Sequence, residues 1–149
     1  MMWVEREHLM STEQNKAIVR RVFEEVLNQG NMALIDEFYS PDYVDHTPNG
    51  PGPGLEGLKQ YFMMYGTAFP DAHYTIEDQI TDQDKVVTRW SVRGTHQGPL
   101  MGIPPTGKPG TVTGIGIAHL KGGKIVEVWS EFDALGMFQQ IGVVPVPGQ

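Results

Sequence analysis

Thr111-Val-Thr-Gly-Ile-Gly-Ile-Ala-His-Leu-Lys-Gly-Gly-Lys-Ile-Val-Glu-Val-Trp-Ser-Glu-Phe132 alternates side-chain character on both sides of a glycine pair. That pattern reads as two antiparallel strands, Thr111–Leu120 and Lys124–Phe132, joined by a tight turn. The register of the hairpin decides which side chains share a face. A two-residue loop at Gly122-Gly123 pairs residues of opposite parity. A three-residue loop, Lys121-Gly122-Gly123 with Gly123 left-handed in a bulge, pairs Leu120 with Lys124 and matches the parities. The second is expected, because Gly123-Lys124-Ile125 suits a bulged turn followed by an edge-facing lysine. One face then carries Gly114, Gly116, Ala118, Val126, Val128, Ser130 and Phe132. The other carries Thr113, Ile115, Ile117, His119, Ile125, Glu127, Trp129 and Glu131. Three small residues in a row leave room beside the sheet for a ligand cavity or a closely packed helix. Ile115, Ile117 and Trp129 read as the contact of a homodimer formed through the outer sheet face, with His119 and Glu127 at its polar rim.

Working outward, His73–Thr81 and Lys85–His96 also have a period of two and meet at Asp82-Gln83-Asp84. Before them the period is helical. Ser11-Thr-Glu-Gln14 forms a capping box for a first helix with Ile18, Val19, Val22, Phe23 and Val26 on one face, stopped by Gly30. Asn31 is expected to cap a short second helix with Leu34, Ile35 and Phe38, halted at Ser40-Pro41. A brief strand, Tyr43–His46, precedes a third helix marked by Leu55, Leu58, Phe62 and Tyr65 and closed by Pro70. Asp133 caps a terminal helix, Ala134–Ile141. The fold class is therefore α+β: three N-terminal helices packed on a curled antiparallel sheet.

The chain has 149 residues, the size of one domain, with a core of ordinary extent. Residues 1–10 read as an N-terminal extension, 11–145 as a single domain and 146–149 as a tail. Gly and Pro cluster in Pro48–Gly57, Gly94–Gly110 and Gly142–Gly148, which marks two long surface loops and a loose end. Net charge is −7 with no basic cluster, so nucleic acid is not expected as a partner. No cysteine is present, which excludes disulfides and thiolate chemistry. No His-x-x-x-His pair occurs, so no metal is expected. No apolar run approaches the ~20 residues of a membrane span, and the N-terminus has no secretory pattern. No membrane partner is expected, and the location expected is cytoplasmic.

Few residues have the chemistry of a site. Asp45 and His46 adjoin the first Gly/Pro loop and are candidates for general base and orienter; the alternative is a turn-capping Asp beside a solvated His. His96 enters the second loop, where it is placed to polarise a substrate carbonyl or to bond the backbone. Asp133 is a helix cap or a site residue. Tyr43, Phe62, Tyr65, Trp90, Met101 and Phe132 are core by default, but some must line any apolar pocket, together with Gly116. No phosphate-binding glycine motif and no serine-nucleophile elbow appears.

Phe38-Tyr-Ser-Pro-Asp-Tyr-Val-Asp-His46, Met101-Gly-Ile-Pro-Pro-Thr-Gly-Lys108 and Phe132-Asp-Ala-Leu-Gly-Met-Phe-Gln-Gln-Ile-Gly142 resemble the SnoaL-like polyketide cyclases, often labelled ester cyclases. Gly94-Thr-His-Gln-Gly98 and Gly123-Lys-Ile-Val-Glu-Val-Trp129 do so too, and the likeness spans about residues 11–145. It implies the cone-shaped α+β barrel of nuclear-transport-factor-two-like proteins, dimers through the outer sheet face, and ring closure by aldol chemistry without metal or organic cofactor. It also implies that the acid and histidine positions of characterised members fall on Ser130 and Gly116. Two readings follow. One is a cofactor-free cyclase abstracting a proton α to a carbonyl of a small, apolar compound, with Asp45 and His46 as base, His96 polarising the carbonyl and Ser130 donating a weaker hydrogen bond. The other is a non-catalytic small-ligand-binding protein of the same fold. Epoxide hydration lacks the two carboxylates it needs beside Arg89 or Arg93.

Overall fold

The structure, a computed structural model, describes residues 2–148, with side chains from Ser11 onward. Helix α1 (Met2–Arg21) passes straight through Ser11, so the expected capping box is not a helix start. Residues 2–10 hold neither proline nor glycine, and nothing there breaks a helix. The helix widens into a π-helical turn, Val22–Asn28, that buries Val22 and Val26, and Gly30 ends it at φ +74°. Asn31 makes no side-chain cap; a 3₁₀ turn, Met32–Leu34, leads into α2 (Ile35–Phe38). Helix α3 runs Gly54–Ala68 and α4 Ala134–Gln140.

The strands are β1 (Tyr39–Asp45), β2 (His73–Asp82), β3 (Lys85–Thr95), β4 (Pro109–Lys121) and β5 (Lys124–Phe132). They form one curled, unclosed sheet in the order β1-β5-β4-β3-β2. Four strands make the antiparallel meander expected from the alternation. The fifth, β1, runs parallel to β5 along Tyr39–Asp45, so the sheet is mixed. A strand this short gives no sign of its pairing partner in the sequence.

The β4–β5 turn departs from expectation in an instructive way. Lys121 pairs with Lys124 around a two-residue loop in which both glycines are left-handed, at φ +56° and +78°. That is the hairpin turn whose twist matches the strands. Opposite parities pair beside it: Leu120 faces Ile125. Ile125, expected on the outer face, is therefore a core residue, 2% exposed. The extra residue lies inside β5, where Val126 bulges between the Leu120–Ile125 and His119–Glu127 pairs. Beyond the bulge the parities match, and Gly116 stands opposite Ser130, Gly114 opposite Phe132.

Two apolar clusters fill the concave side. One joins Val19, Val22, Val26, Ile35, Phe38 and Leu58 of the helices to Val86, Ala118, Leu120 and Ile125 of the sheet. The other gathers Ala68, Leu100, Val112, Met137 and Ile141. Two amide side chains fasten the helical layer to the strands. Asn28 bonds both the N–H (2.7 Å) and the C=O (3.0 Å) of Tyr74, and Gln140 does the same for Thr111, both at 2.8 Å.

Within β4, close packing depends on one glycine in particular. A Cβ at Gly114 would overlap the Trp90 ring, whereas one at Gly116 would meet nothing closer than Ser130 Oγ at 3.4 Å. Gly114→Ala should therefore cost about 1–3 kcal/mol in urea unfolding, and Gly116→Ala well under half of that. Equal stabilities for the two variants would contradict this packing.

Candidate functional site

Between the two clusters lies a cavity of about 780 Å³, a volume suited to a small organic ligand. Its walls come from the π-helical turn, α3, α4 and the concave face of the sheet. Aromatic rings run along it in edge-on and tilted contact. Phe23, Tyr74 and Trp90 cluster within 6.3 Å of one another, and Phe132 joins Trp90 at 6.4 Å. Tyr65 meets Phe132 at 6.2 Å and Tyr61 at 5.2 Å.

Asp45 is the one charged side chain among the described lining residues. Its Oδ1 accepts the Thr47 N–H at 2.9 Å, an Asx turn that fixes the carboxylate. The other oxygen has no protein partner among the described residues. Phenols surround it. Tyr39 and Tyr61 line the cavity, and Tyr43 packs edge-on against Tyr39 at 5.2 Å. Burial raises the pKa of all three phenols, and the negative charge of Asp45 raises it further. Burial pushes Tyr74 up to about 12 and also raises Tyr65. Tyr61 and Tyr65 both line the cavity with their rings in edge-on contact, and burial keeps both phenols protonated.

Of the residues proposed from the sequence, Asp45, Ser130, Gly116, Phe62, Tyr65, Trp90 and Phe132 line the cavity. The others lie elsewhere. His46 cannot act on a ligand beside Asp45, since neighbours along an extended strand point to opposite faces. Its ring stacks on Trp129 at 4.9 Å and bonds Glu127 at 2.7 Å on the convex side. His96 is wholly buried under the second Gly/Pro loop rather than at the pocket mouth. Its Nδ1 accepts the Thr106 N–H at 3.2 Å, and its Nε2 finds no partner among the described residues. Met101 sits exposed at a loop tip, in a turn closed by Leu100 and Ile103. Tyr43 is buried in the core, and its hydroxyl has no partner among the described residues. Asp133 is the cap of α4, accepting the Gly136 N–H at 2.9 Å. Tyr61, Tyr74, Tyr39 and Thr88 were not singled out, although Tyr61 and Tyr65 are four apart on one helix and so neighbours on its surface.

The convex face carries Ile115 (51% exposed) and Trp129 (37% exposed), with Ile80 in the cross-strand row of Val87, Ile117 and Trp129. His119 bonds Asp84 at 3.0 Å and approaches Glu127 at 3.9 Å there. The His119 bond holds the Asp84 carboxyl below its ordinary range. Among the described residues no cluster has the makings of a metal site, and no helix is long and apolar enough to cross a membrane.

Residues 17–141 match a family described as SnoaL-like polyketide cyclase. IdmH from Streptomyces antibioticus, described as a putative polyketide cyclase, is 32% identical with a TM-score of 0.77, over 87% of this chain and 99% of that one. A protein from Bacillus cereus with the same description is also 32% identical, with a TM-score of 0.77 over 88% and 82% of the two chains. AclR from Streptomyces galilaeus, described as a putative hydroxylase, is 25% identical with a TM-score of 0.81 over 92% and 87%. No functionally curated protein matches.

The buried phenols set an alkaline limit on stability. Each has a higher pKa folded than unfolded, so its contribution is complete below about pH 10 and is lost as pH rises towards the folded value. Phenolate absorbance in a pH titration should therefore lag the free-tyrosine curve and then rise together with unfolding. Tyrosines that ionise near pH 10 in the folded protein would contradict the burial.

Proposed function

Because the chain belongs to the SnoaL-like polyketide cyclase family, we propose that it closes a ring on an apolar carbonyl compound by acid/base chemistry of its own side chains. The observation that carries this reading is a lone carboxylate, Asp45, set in an apolar cavity that is also lined by the protonated phenols Tyr61 and Tyr65. Asp45 takes the proton α to a carbonyl, and the bonding pair moves into an enolate. Tyr65 donates to the enolate oxygen. The enolate carbon then attacks a second carbonyl, forming the new C–C bond. No step calls on a metal or an organic cofactor. Asp45 replaces the Asp45/His46 pair as base, and Tyr65 takes the role first given to His96. The apolar lining favours a neutral substrate, because an anion would face Asp45 without a cation beside it.

Asp45→Asn should lower kcat about 10²–10⁴-fold with little change in ligand affinity. Tyr65→Phe should lower it about 10²-fold. Full turnover in Asp45→Asn on an authentic substrate would remove the assignment. The second reading, a ligand-binding protein, is favoured by Ser130 and Gly116, which stand opposite each other without an ionisable group. It prevails if the wild type binds carbonyl compounds without turnover while Ser130→Asp gains activity.

A homodimer through the convex face belongs to the same reading. The outward charges of β3 are Lys85, Arg89 and Arg93, and those of β5 are Glu127 and Glu131, with Ile115 and Ile117 on β4 between them. A two-fold axis along β4 lays the basic strand of one copy over the acidic strand of the other. Trp129→Glu should yield monomers in sedimentation velocity. A wild type already monomeric at micromolar concentration would refute the dimer.

A further inference from the structure

We infer that Thr88 and Ser130 form, across the gap left by Gly116, a second oxygen subsite that holds the carbonyl attacked in ring closure. This rests on the reading of Asp45 as base. The three residues lie side by side in one cross-strand row, Thr88 opposite Gly116 and Gly116 opposite Ser130, all lining the cavity.

Thr88 is 3% exposed. Its oxygen accepts from Gln79 Nε2 at 3.2 Å, and Gln79 Oε1 accepts from the Arg20 guanidinium at 3.1 Å. With the acceptor role filled, the Thr88 hydroxyl proton has no acceptor among the described residues. A buried donor left in that condition is costly unless a ligand takes it up. The relay from Arg20 through Gln79 also polarises the hydroxyl and makes it a better donor. Ser130 Oγ leans towards the gap, 3.4 Å from where a Gly116 Cβ would stand, and it too has no partner among the described residues. β3 and β5 each lie about 4.8 Å from β4, so an oxygen standing above Gly116 is flanked by both hydroxyls.

Asp45 pairs with Val128, two residues from Ser130 along β5. Strand spacing and rise put their Cα atoms roughly 8 Å apart. One small ligand spans both places. An aldol closure needs two carbonyls, one to become the enolate and one to be attacked. The Tyr61–Tyr65 pair serves the first and the Thr88–Ser130 row the second. As the C–C bond forms, the π pair of the attacked carbonyl moves onto its oxygen. The resulting alkoxide, bonded by the two hydroxyls, takes a proton from water, and Asp45 returns the proton it removed to solvent. Neutral donors suit this subsite, since they stabilise the alkoxide without competing as acids with Asp45.

The test uses 9-fluorenone and fluorene, which share one tricyclic frame and differ by a single carbonyl oxygen. Quenching of Trp90, a cavity-lining tryptophan, reports their binding. Two variants remove the subsite by independent routes. Thr88→Val combined with Ser130→Ala deletes both donors, and Gly116→Ala keeps both hydroxyls but fills the gap. In each, the ratio of fluorenone to fluorene association constants should fall roughly tenfold from the wild-type value. A ratio unchanged in either variant overturns the subsite, including the case where only Tyr65→Phe lowers it. Turnover by Asp45→Asn tests the base separately: full activity there with a collapsed ratio in the subsite variants would remove the base and leave the subsite standing.

Discussion

Val126 has no counterpart on β4, and the concave face is arranged around that single unpaired residue. Between the glycine turn and the bulge, β5 presents Ile125 inward; past it, Val128, Ser130 and Phe132 turn inward instead. Because strand side chains repeat every two residues, omitting the bulge would send all three to the convex side and bring Glu127, Trp129 and Glu131 into the cavity. The effect passes to β1 as well. That strand pairs with β5 at Ile125, Glu127 and Val128, and Asp45 lies beside Val128. The placement of the cavity's carboxylate thus follows from a local defect in its neighbour's ladder.

A lone carboxylate in an aromatic cavity is held by geometry rather than by charge. The Thr47 N–H fixes one oxygen, and among the described residues no cationic side chain lines the walls to neutralise the other. The phenols nearby keep their protons because burial and the Asp45 charge oppose a second anion. One cavity therefore holds a fixed carboxylate and a set of protonated phenols, two states separated by environment. Three histidines, residues more familiar as acid/base groups, are used elsewhere: His46 and His119 join a polar chain with Glu127 and Asp84 on the convex side, and His96 holds Thr106 beneath a loop.

Much of the architecture was legible from period and punctuation. Alternation located β2 to β5 to within a few residues, and small residues on β4 pointed to the cavity face. The matching parities of Gly116 and Ser130 were anticipated through a three-residue loop, whereas the structure reaches them through a two-residue turn and an internal bulge. Sequence alone cannot tell these apart, since both add one residue to the same strand. The Asp45–His46 dyad failed on the simplest rule of strands, that neighbours face apart. Tyr61 and Tyr74 went unnoticed because a phenol carries no motif; its role emerges only when α3 and β2 are folded over the same space. Nor does the pairing of β1 with β5 leave a trace, because parallel partners far apart in sequence share no turn.

Asn28 and its hold on Tyr74 have a meaning beyond fastening the helical layer. β2 is an outer strand of an open sheet, and such a strand offers a row of backbone groups to any passing extended chain. At Tyr74 both the donor and the acceptor of that row are occupied by one amide from the same molecule. An incoming strand would have to displace Asn28 before it could align there. A side chain that lines the cavity thereby also blocks strand addition at Tyr74, and an edge that looks open is chemically occupied there.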